Sequence, residues 1–230
     1  MILARELLQI QAGWLAEARA RILRKAEIAK RKRVLDLGCG YGSITPELQR
    51  RSAGFVVALD RDLRVLPRDC VSICAEAQRL PFTHGSVDLV FSQNVLLWIR
   101  SITDVVESVH RVLSEDGVWV VFEPDYSGMM EFPEEIAIRE LWLSVLPRLD
   151  ADPMIGRKLP AALSTQGFKV ETELLPHLVA PDPARFDFLA DLPLSHEERQ
   201  KLESAREASV RMGPTKQICH LPYYLITARR

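Results

Sequence analysis

The stretch "RVLDLGCGYG" at residues 33–42 places three glycines directly after a short apolar run. Gly38, Gly40 and Gly42 allow close approach of the backbone to a ligand, because glycine has no side chain and adopts conformations that other residues avoid. A helix that follows such a turn offers free backbone N–H groups to anionic oxygens. The stretch therefore predicts a nucleotide-type ligand at the end of the first strand.

Two residues of this region argue against a dinucleotide. The dinucleotide fingerprint is G-x-G-x-x-G, and Ser43 stands where its last glycine would fall. Asp36 would repel a pyrophosphate but can accept hydrogen bonds from an ammonium group. A ligand that carries an ammonium group on a nucleoside, as S-adenosylmethionine does, fits both features. The alternative is a plain strand–helix turn with a surface aspartate.

Alternating strands and helices position this turn. Short strands rich in Val, Leu and Ile are typical of strands buried on both faces, and their alternation with helices predicts a parallel sheet with helices on both faces. Gly117 is expected to end the helical turn before the fifth strand. Strands are predicted at 34–37, 55–60, 70–75, 87–92 and 118–123, and helices at 2–26, 43–51, 61–67 and 102–113.

The alternation breaks after residue 124. Helices are predicted at 131–149, 155–168 and 195–211, and strands at 169–175 and 219–229.

The stretch "VLDLGCGYG" resembles the first motif of the class I S-adenosylmethionine-dependent methyltransferases, and further motifs follow in the family's order. They are Asp60 at the end of the second strand, "EAQRLPF" (76–82), "VDLVFSQNVLLWI" (87–99) and "HRVLSEDGVWVVFEP" (110–124). The likeness covers residues 33–124 and is greatest to the branch of quinone-ring and other small-molecule methyltransferases. It implies an α/β, Rossmann-like, seven-stranded and mostly parallel sheet, with an antiparallel last strand beside the fifth and sixth.

The resemblance also implies an S-adenosylmethionine site. Asp60 would bind the two ribose hydroxyls, since a carboxylate can face a diol with both oxygens. Glu76 and Gln78 replace the family's usual Asp and Glu beside the adenine, which leaves that contact less well matched. The residues expected to bind the cofactor are Asp36, Gly38, Cys39, Gly40, Gly42, Asp60, Arg61, Glu76, Ala77, Ser92 and Gln93.

The acceptor side offers only weak candidates for catalysis, Asn94 and Asp125. Many relatives carry His where Leu97 stands, so an apolar acceptor pocket is expected. A general base helps only if the acceptor must lose a proton. Each polar candidate can equally be a satisfied loop residue. Further candidates for contact with the acceptor are Gln93, Glu123 and Tyr126, and candidate bases are His177, His196 and His220.

The segments around the core are expected to form a lid. The first helix is expected to fold over the cofactor and to bring Gln11 or Trp14 near it. Phe132, Ile138, Leu141, Trp142 and Leu143 either line the acceptor pocket or are simple core. The expected organisation is an N-terminal helical extension (1–32) and a methyltransferase domain (33–230), which divides into a cofactor-binding core (33–124) and an acceptor-side half (125–230) with insertions at 125–160 and 176–216.

Composition limits the classes of partner. The formal net charge of −1 gives no overall attraction to nucleic acid or membrane. The basic segment 19–33 is either a solvated helix face or a site for RNA or acidic lipid. No apolar run is long enough to cross a bilayer, and the histidines and cysteines show no metal spacing. Four cysteines are too few for a disulfide scaffold, so a reducing cytoplasm is expected.

These patterns favour an enzyme that transfers a methyl group to a small-molecule acceptor by in-line displacement, as a monomer or homodimer. An RNA or protein methyltransferase, a non-catalytic S-adenosylmethionine-binding protein and a nicotinamide oxidoreductase are the alternatives that stay open.

Overall fold

The computed structural model of the protein describes residues 4–175 and 181–230. In chain order the helices are α1 (Arg5–Trp14), α2 (Ala16–Lys25), α3 (Thr45–Arg51), α4 (Ile102–Val112), α5 (Arg139–Arg148), α6 (Ile155–Thr165), α7 (Ala184–Ala190) and α8 (His196–Met212). The strands are β1 (Arg33–Leu37), β2 (Phe55–Asp60), β3 (Val71–Cys74), β4 (Val87–Gln93), β5 (Leu113–Pro124), β6 (Met130–Phe132), β7 (Lys169–Leu174), β8 (Ile218–His220) and β9 (Tyr223–Arg229).

Seven strands form one sheet in the order β3-β2-β1-β4-β5-β9-β7. The strands β1 to β5 pair in parallel, and β9 runs antiparallel between β5 and β7. This arrangement confirms the predicted Rossmann-like sheet with its antiparallel last strand. The short strands β6 and β8 pair separately, as a two-stranded antiparallel ribbon.

The core lies on both faces of the sheet. On one face, Leu23 of α2 joins the buried cluster of Phe91 and Phe122. On the other face, Val109 of α4 joins the cluster that contains the fully buried Trp119. Burial on both faces explains why the central strands are almost continuously apolar.

The N-terminal segment differs from the single helix predicted at 2–26. It forms α1 and α2, which meet at Leu15, where φ is −107° and ψ is 7°. Leu15 is 1% exposed, so the bend is held by the core of the molecule.

The segment 61–67 is not a helix, contrary to the prediction. The Asp60 carboxylate accepts a hydrogen bond from the amide of Asp62, and the Asp62 carboxylate accepts one from the amide of Arg64, both at 3.0 Å. Such side-chain bonds offer the backbone an alternative to the helical pattern.

Gly117 does not end the helix before the fifth strand, which was also predicted wrongly. The helix α4 ends at Val112, the chain turns extended at Leu113, and Gly117 lies inside β5. A Cβ atom at Gly117 would lie 2.7 Å from the carbonyl oxygen of Ser114, so close backbone packing requires the glycine.

The two longest predictions after residue 124 need correction. The range 131–149 contains β6 and a helix that begins only at Arg139, since the amides of Ile138 and Arg139 bond to the Glu131 carboxylate. The range 219–229 is interrupted at Pro222, which has no N–H to continue a ladder. The helix α7 was not predicted.

Candidate active site

A cavity of about 720 Å³ lies at the carboxyl ends of β1, β2 and β4, with α1 across it. Its size falls within the range of about 300–1,000 Å³ for small-molecule sites. Leu8, Gln11 and Ala12 of α1 form one wall, so the first helix places Gln11 at the cavity, and its nearness to the cofactor stays a prediction. Trp14 instead donates a hydrogen bond to Asp182 at 2.7 Å and packs on Phe188.

The glycine turn after β1 forms the floor of the cavity. Gly38 has φ +72°, and a Cβ atom there would lie 2.4 Å from Cγ2 of Val95. Only glycine therefore allows the turn to close against the residue that follows β4. The nearest atom to a Cβ at Gly40 is Cδ1 of Leu8 at 3.7 Å, which shows that α1 lies directly over the turn.

Asp36 is a buried carboxylate in the wall of this cavity. It is 3% exposed and accepts a hydrogen bond of 2.6 Å from the Thr45 hydroxyl. Burial raises the pKa of Asp36 to about 6, and the Thr45 hydroxyl and the Arg19 guanidinium oppose that rise. A carboxylate so placed is suited to a cationic partner.

Asp60 stands at the end of the neighbouring strand. Its Oδ2 accepts a hydrogen bond from the amide of Gly40 at 3.0 Å, and its Oδ1 accepts one from Asp62. These two bonds fix the carboxylate, and each oxygen keeps a lone pair for a ligand in the cavity.

Glu76, Ala77 and Gln78 line the cavity beyond β3. The Oε1 atom of Gln78 is buried and has no hydrogen-bond partner among the described residues. Glu76 is exposed and lines the cavity, so its carboxylate can accept a hydrogen bond from a ligand N–H, whereas the oxygen of Gln78 is enclosed by protein.

The order of the strands sets the order of these groups. The sequence β3-β2-β1-β4 along the sheet places Glu76 and Gln78, then Asp60, then Asp36, then Gln93 along one edge. A ligand in the cavity would meet the carboxylate of Glu76 first, then a carboxylate suited to a diol, then a carboxylate suited to a cation.

Glu123 lies beneath the cavity on β5, contacts the turn after β4 and does not line the cavity. It is fully buried and accepts hydrogen bonds from the amides of Val95, Leu96 and Leu97 at 2.8, 2.7 and 3.4 Å. Burial raises the pKa of Glu123 to about 7, and the three amides oppose that rise. Its role is to hold the turn after β4 against the glycine turn.

The structure brings most of the predicted cofactor residues together. Those that line the cavity are Asp36, Gly38, Cys39, Gly40, Asp60, Arg61, Glu76, Ala77 and Gln93, together with the acceptor candidate Asn94.

Two predicted cofactor residues lie outside the cavity. Gly42 has φ +76° and packs towards Pro67. Ser92 is fully buried and accepts a hydrogen bond from the Trp119 indole at 3.1 Å.

Most of the candidates for contact with the acceptor also lie elsewhere. Asp125 is buried, pairs with Arg157 and caps the turn Tyr126–Gly128. Leu97, Tyr126, Ile138, Leu141 and Trp142 belong to the buried core, with Leu143 packed against it, and Phe132 is 65% exposed. His196 contacts Gln200, His220 lies on β8, and His177 is outside the described residues. The segments 125–160 and 176–216 thus contribute only Leu149 to the described lining.

Arg19 is a site residue that the sequence analysis missed. It was placed in a basic segment that was either a solvated face or a site for RNA or acidic lipid, but it is 5% exposed and donates hydrogen bonds to Glu47 and Gln93. Arg19, Ile22 and Leu23 share the buried face of α2 at helical spacing, which is the signal that could have identified it.

The remaining basic segment is largely neutralised. Arg21 and Lys25 pair with Glu173, and Arg33 pairs with Asp88. Fewer free cations remain for phosphates than the sequence suggested.

The comparison with protein families matches residues 35–121 to the family described as "Methyltransferase domain". The mitochondrial arginine-hydroxylase of Mus musculus is 31% identical over 69% of this chain and 48% of its own length. A malonyl-[acyl-carrier protein] O-methyltransferase of a Marinomonas species is 35% identical over 42% of this chain and 39% of its own length. The chain therefore spans about half the length, or less, of these curated relatives.

A solved structure extends the likeness to nearly the whole chain. Geranyl diphosphate C-methyltransferase from Streptomyces coelicolor, in complex with S-adenosylhomocysteine, superposes with a TM-score of 0.57 at 20% identity. The superposition covers 95% of this chain and 81% of that one.

The described residues lack two kinds of feature. No helix among them combines the length and apolar character needed to cross a bilayer. No group of three or more His, Cys, Asp or Glu side chains among them is placed to hold a metal ion.

Proposed function

We propose that the methyltransferase domain matched at residues 35–121 is a class I S-adenosylmethionine-dependent enzyme that methylates a small-molecule acceptor. The observation that carries the proposal is the row of groups along the sheet edge. Glu76, Asp60 and Asp36 follow one another in the order in which S-adenosylmethionine presents an aromatic amine, a diol and an ammonium group. The cavity residues therefore fit this cofactor, which when bound supplies an electrophilic methyl group.

The residues of this chain bind and orient. Asp60 accepts hydrogen bonds from the ribose hydroxyls, and Asp36 accepts them from the ammonium group. Glu76 accepts a hydrogen bond from the adenine amine. The wall formed by α1 excludes water from the reacting atoms, and positioning supplies the main part of the catalysis, as an in-line displacement allows.

The acceptor lies beside the turn after β4. Val95, Trp98 and Ile99 line this part of the cavity with apolar surface, and Asn94 adds one polar side chain. The described lining includes no histidine, so we propose an acceptor whose nucleophilic atom needs no histidine base. Such an acceptor is an apolar metabolite with one polar group for Asn94.

The names of the relatives define the alternatives to be tested. One relative is named for methylation of a malonyl thioester on a carrier protein, and another for hydroxylation of arginine. Methyl transfer to a small molecule, transfer to a carrier-bound acyl group and chemistry other than methyl transfer therefore need separate readouts.

The test is made in two steps on the purified protein. Calorimetry first compares S-adenosylhomocysteine with NAD, and we expect binding of the former alone. Transfer of radiolabel from methyl-labelled S-adenosylmethionine is then measured with phenols, quinols, malonyl thioesters, RNA and protein. Binding of NAD alone would overturn the cofactor assignment. Tight binding of S-adenosylhomocysteine with label transferred only to RNA or protein, or to nothing, would overturn the small-molecule assignment.

We further propose a cytoplasmic setting and a monomer or homodimer. All four cysteines are unpaired thiols, which suits a reducing compartment. Light scattering at two protein concentrations checks the oligomeric state.

A further inference from the structure

The side chain of Arg19 reaches from α2 into the base of the cavity wall. Its Nε donates to Glu47 Oε2 at 2.8 Å, and Nη1 donates to the carbonyl oxygen of Ala12 at 2.8 Å. Nη1 also donates to Oε1 of Gln93 at 3.1 Å. One buried guanidinium thus connects α1, α2, α3 and the end of β4.

The contact with Gln93 fixes the direction of the Gln93 amide. A guanidinium has only donors, so the atom that faces Arg19 must be the amide oxygen. The amide nitrogen, with its two N–H groups, is left over, and it donates to no described residue. Gln93 lines the cavity, so Arg19 orients its amide with the N–H groups available to donate to a ligand there.

The neighbouring strand β1 presents a hydrogen-bond acceptor to the same part of the cavity. Asp36 on β1 pairs in register with Phe91 on β4, two residues before Gln93, and both Asp36 and Gln93 line the cavity. One end of the cavity therefore offers a carboxylate acceptor and an amide donor side by side. A free amino acid group has the complementary pair, an ammonium donor and a carboxylate acceptor.

We propose that Arg19 is a positioning residue that makes this end of the cavity selective for a zwitterion. It holds Gln93 with its N–H groups available for the ligand carboxylate, while Asp36 accepts from the ammonium group. The inference rests on the proposed function, because the zwitterion is the methionine portion of S-adenosylmethionine.

A second contact of Arg19 is structural and must be separated from this role. The bond to Ala12 anchors the end of α1, and α1 covers the whole ligand. Its loss would weaken every ligand of the cavity to a similar degree. Loss of the Gln93 orientation weakens only ligands that carry the amino acid group.

The experiment compares two ligands on matched variants. S-adenosylhomocysteine carries the amino acid group, and 5′-methylthioadenosine lacks it. Calorimetry measures both affinities for wild type, Arg19→Met and Gln93→Glu, with the exposed Arg24→Met on the same helix as control. Arg19→Met leaves Glu47 paired with Arg51 at 2.9 Å, which avoids a buried unpaired carboxylate.

We expect Arg19→Met and Gln93→Glu to weaken S-adenosylhomocysteine about tenfold or more, the scale of one hydrogen bond to a charged group. Gln93→Glu keeps an acceptor for Arg19 but replaces the donor with an anionic oxygen. The affinity for 5′-methylthioadenosine should change less than about threefold in Gln93→Glu. In Arg19→Met, which also loses the bond to Ala12, it should fall clearly less than the affinity for S-adenosylhomocysteine, and Arg24→Met should change neither ligand.

Two results would overturn the inference while leaving the proposed function intact. They are an equal loss of affinity for both ligands in Arg19→Met and Gln93→Glu, and unchanged binding of S-adenosylhomocysteine. A wild-type protein that binds neither ligand would overturn the proposed function, and the inference with it.

Discussion

The carboxylate of Glu123 on β5 accepts a hydrogen bond of 2.7 Å from the backbone amide of Leu96, in the turn that follows β4. The same carboxylate accepts from Val95, whose side chain lies against the glycine turn. Glu123 therefore links two neighbouring parallel strands at the base of the cavity.

Replacement of Glu123 by alanine should destabilise the protein. Three amides, two of them buried, lose their acceptor, and each unsatisfied group costs about 1–3 kcal/mol when it cannot reach water. We expect the free energy of unfolding in urea to fall by about 3 kcal/mol or more. Glu115→Ala is the matched control, because Glu115 is exposed on the same strand; equal losses in the two variants would contradict the assigned role.

The stability of the ligand-free protein should decrease as the pH rises from about 4.5 to about 7. Burial raises the pKa of Glu123 from 4.5 to about 7, so in this window the folded state binds more protons than the unfolded state. Each pH unit within it costs about 1.4 kcal/mol for one such group. Asp36, with its pKa raised to about 6, adds to the slope below that pH. Urea titrations at several pH values should show a shallower slope for Glu123→Gln, and an unchanged slope would refute the assignment.

Asp60→Asn should weaken the binding of S-adenosylhomocysteine about tenfold or more, because an amide accepts from a diol at only one of its two polar atoms. Asp69→Asn is the control, since Asp69 is exposed on the loop that follows. Calorimetry measures both affinities at constant pH and salt. Equal binding by Asp60→Asn and wild type would remove Asp60 from the ligand site.

Gly38→Ala should lower both stability and ligand affinity. The new methyl group would lie 2.4 Å from Val95, and φ of +72° adds strain of about 1–2 kcal/mol for a residue with a Cβ. The double variant Gly38→Ala with Val95→Ala removes the clash but keeps the strain. Thermal unfolding should therefore show partial recovery in the double variant, and no recovery would mean that Val95 is not the obstacle.

The strands of the core could be predicted because burial on both faces leaves a continuous apolar signature in β1, β2, β4 and β5. The segment 61–67 could not, since its Asp side chains compete with the helix for backbone amides. The ribbon of β6 and β8 joins residues 130–132 to 218–220, a pairing that no local pattern contains.

The site was predictable where a cavity-lining residue belongs to a sequence motif. Asp36 and Asp60 belong to motifs that can be read in order along the chain, and both line the cavity. Arg19 and Glu123 act through partners 74 and 27 residues away, so their roles depend on packing rather than on spacing. The positive charge of Arg19 suggested an exposed side chain. Its spacing from the buried residues of α2 instead places it on the buried face of that helix.

The position of β9 between β5 and β7 sets a condition on biosynthesis. A ribosome makes β7 some 50 residues before β9, yet β7 joins the sheet only through β9. The strands β1 to β5 contain one another's pairing partners, whereas β7 must wait for β9. Until β9 pairs with it, β5 is an open edge of the parallel sheet, which agents that bind exposed strand edges can reach.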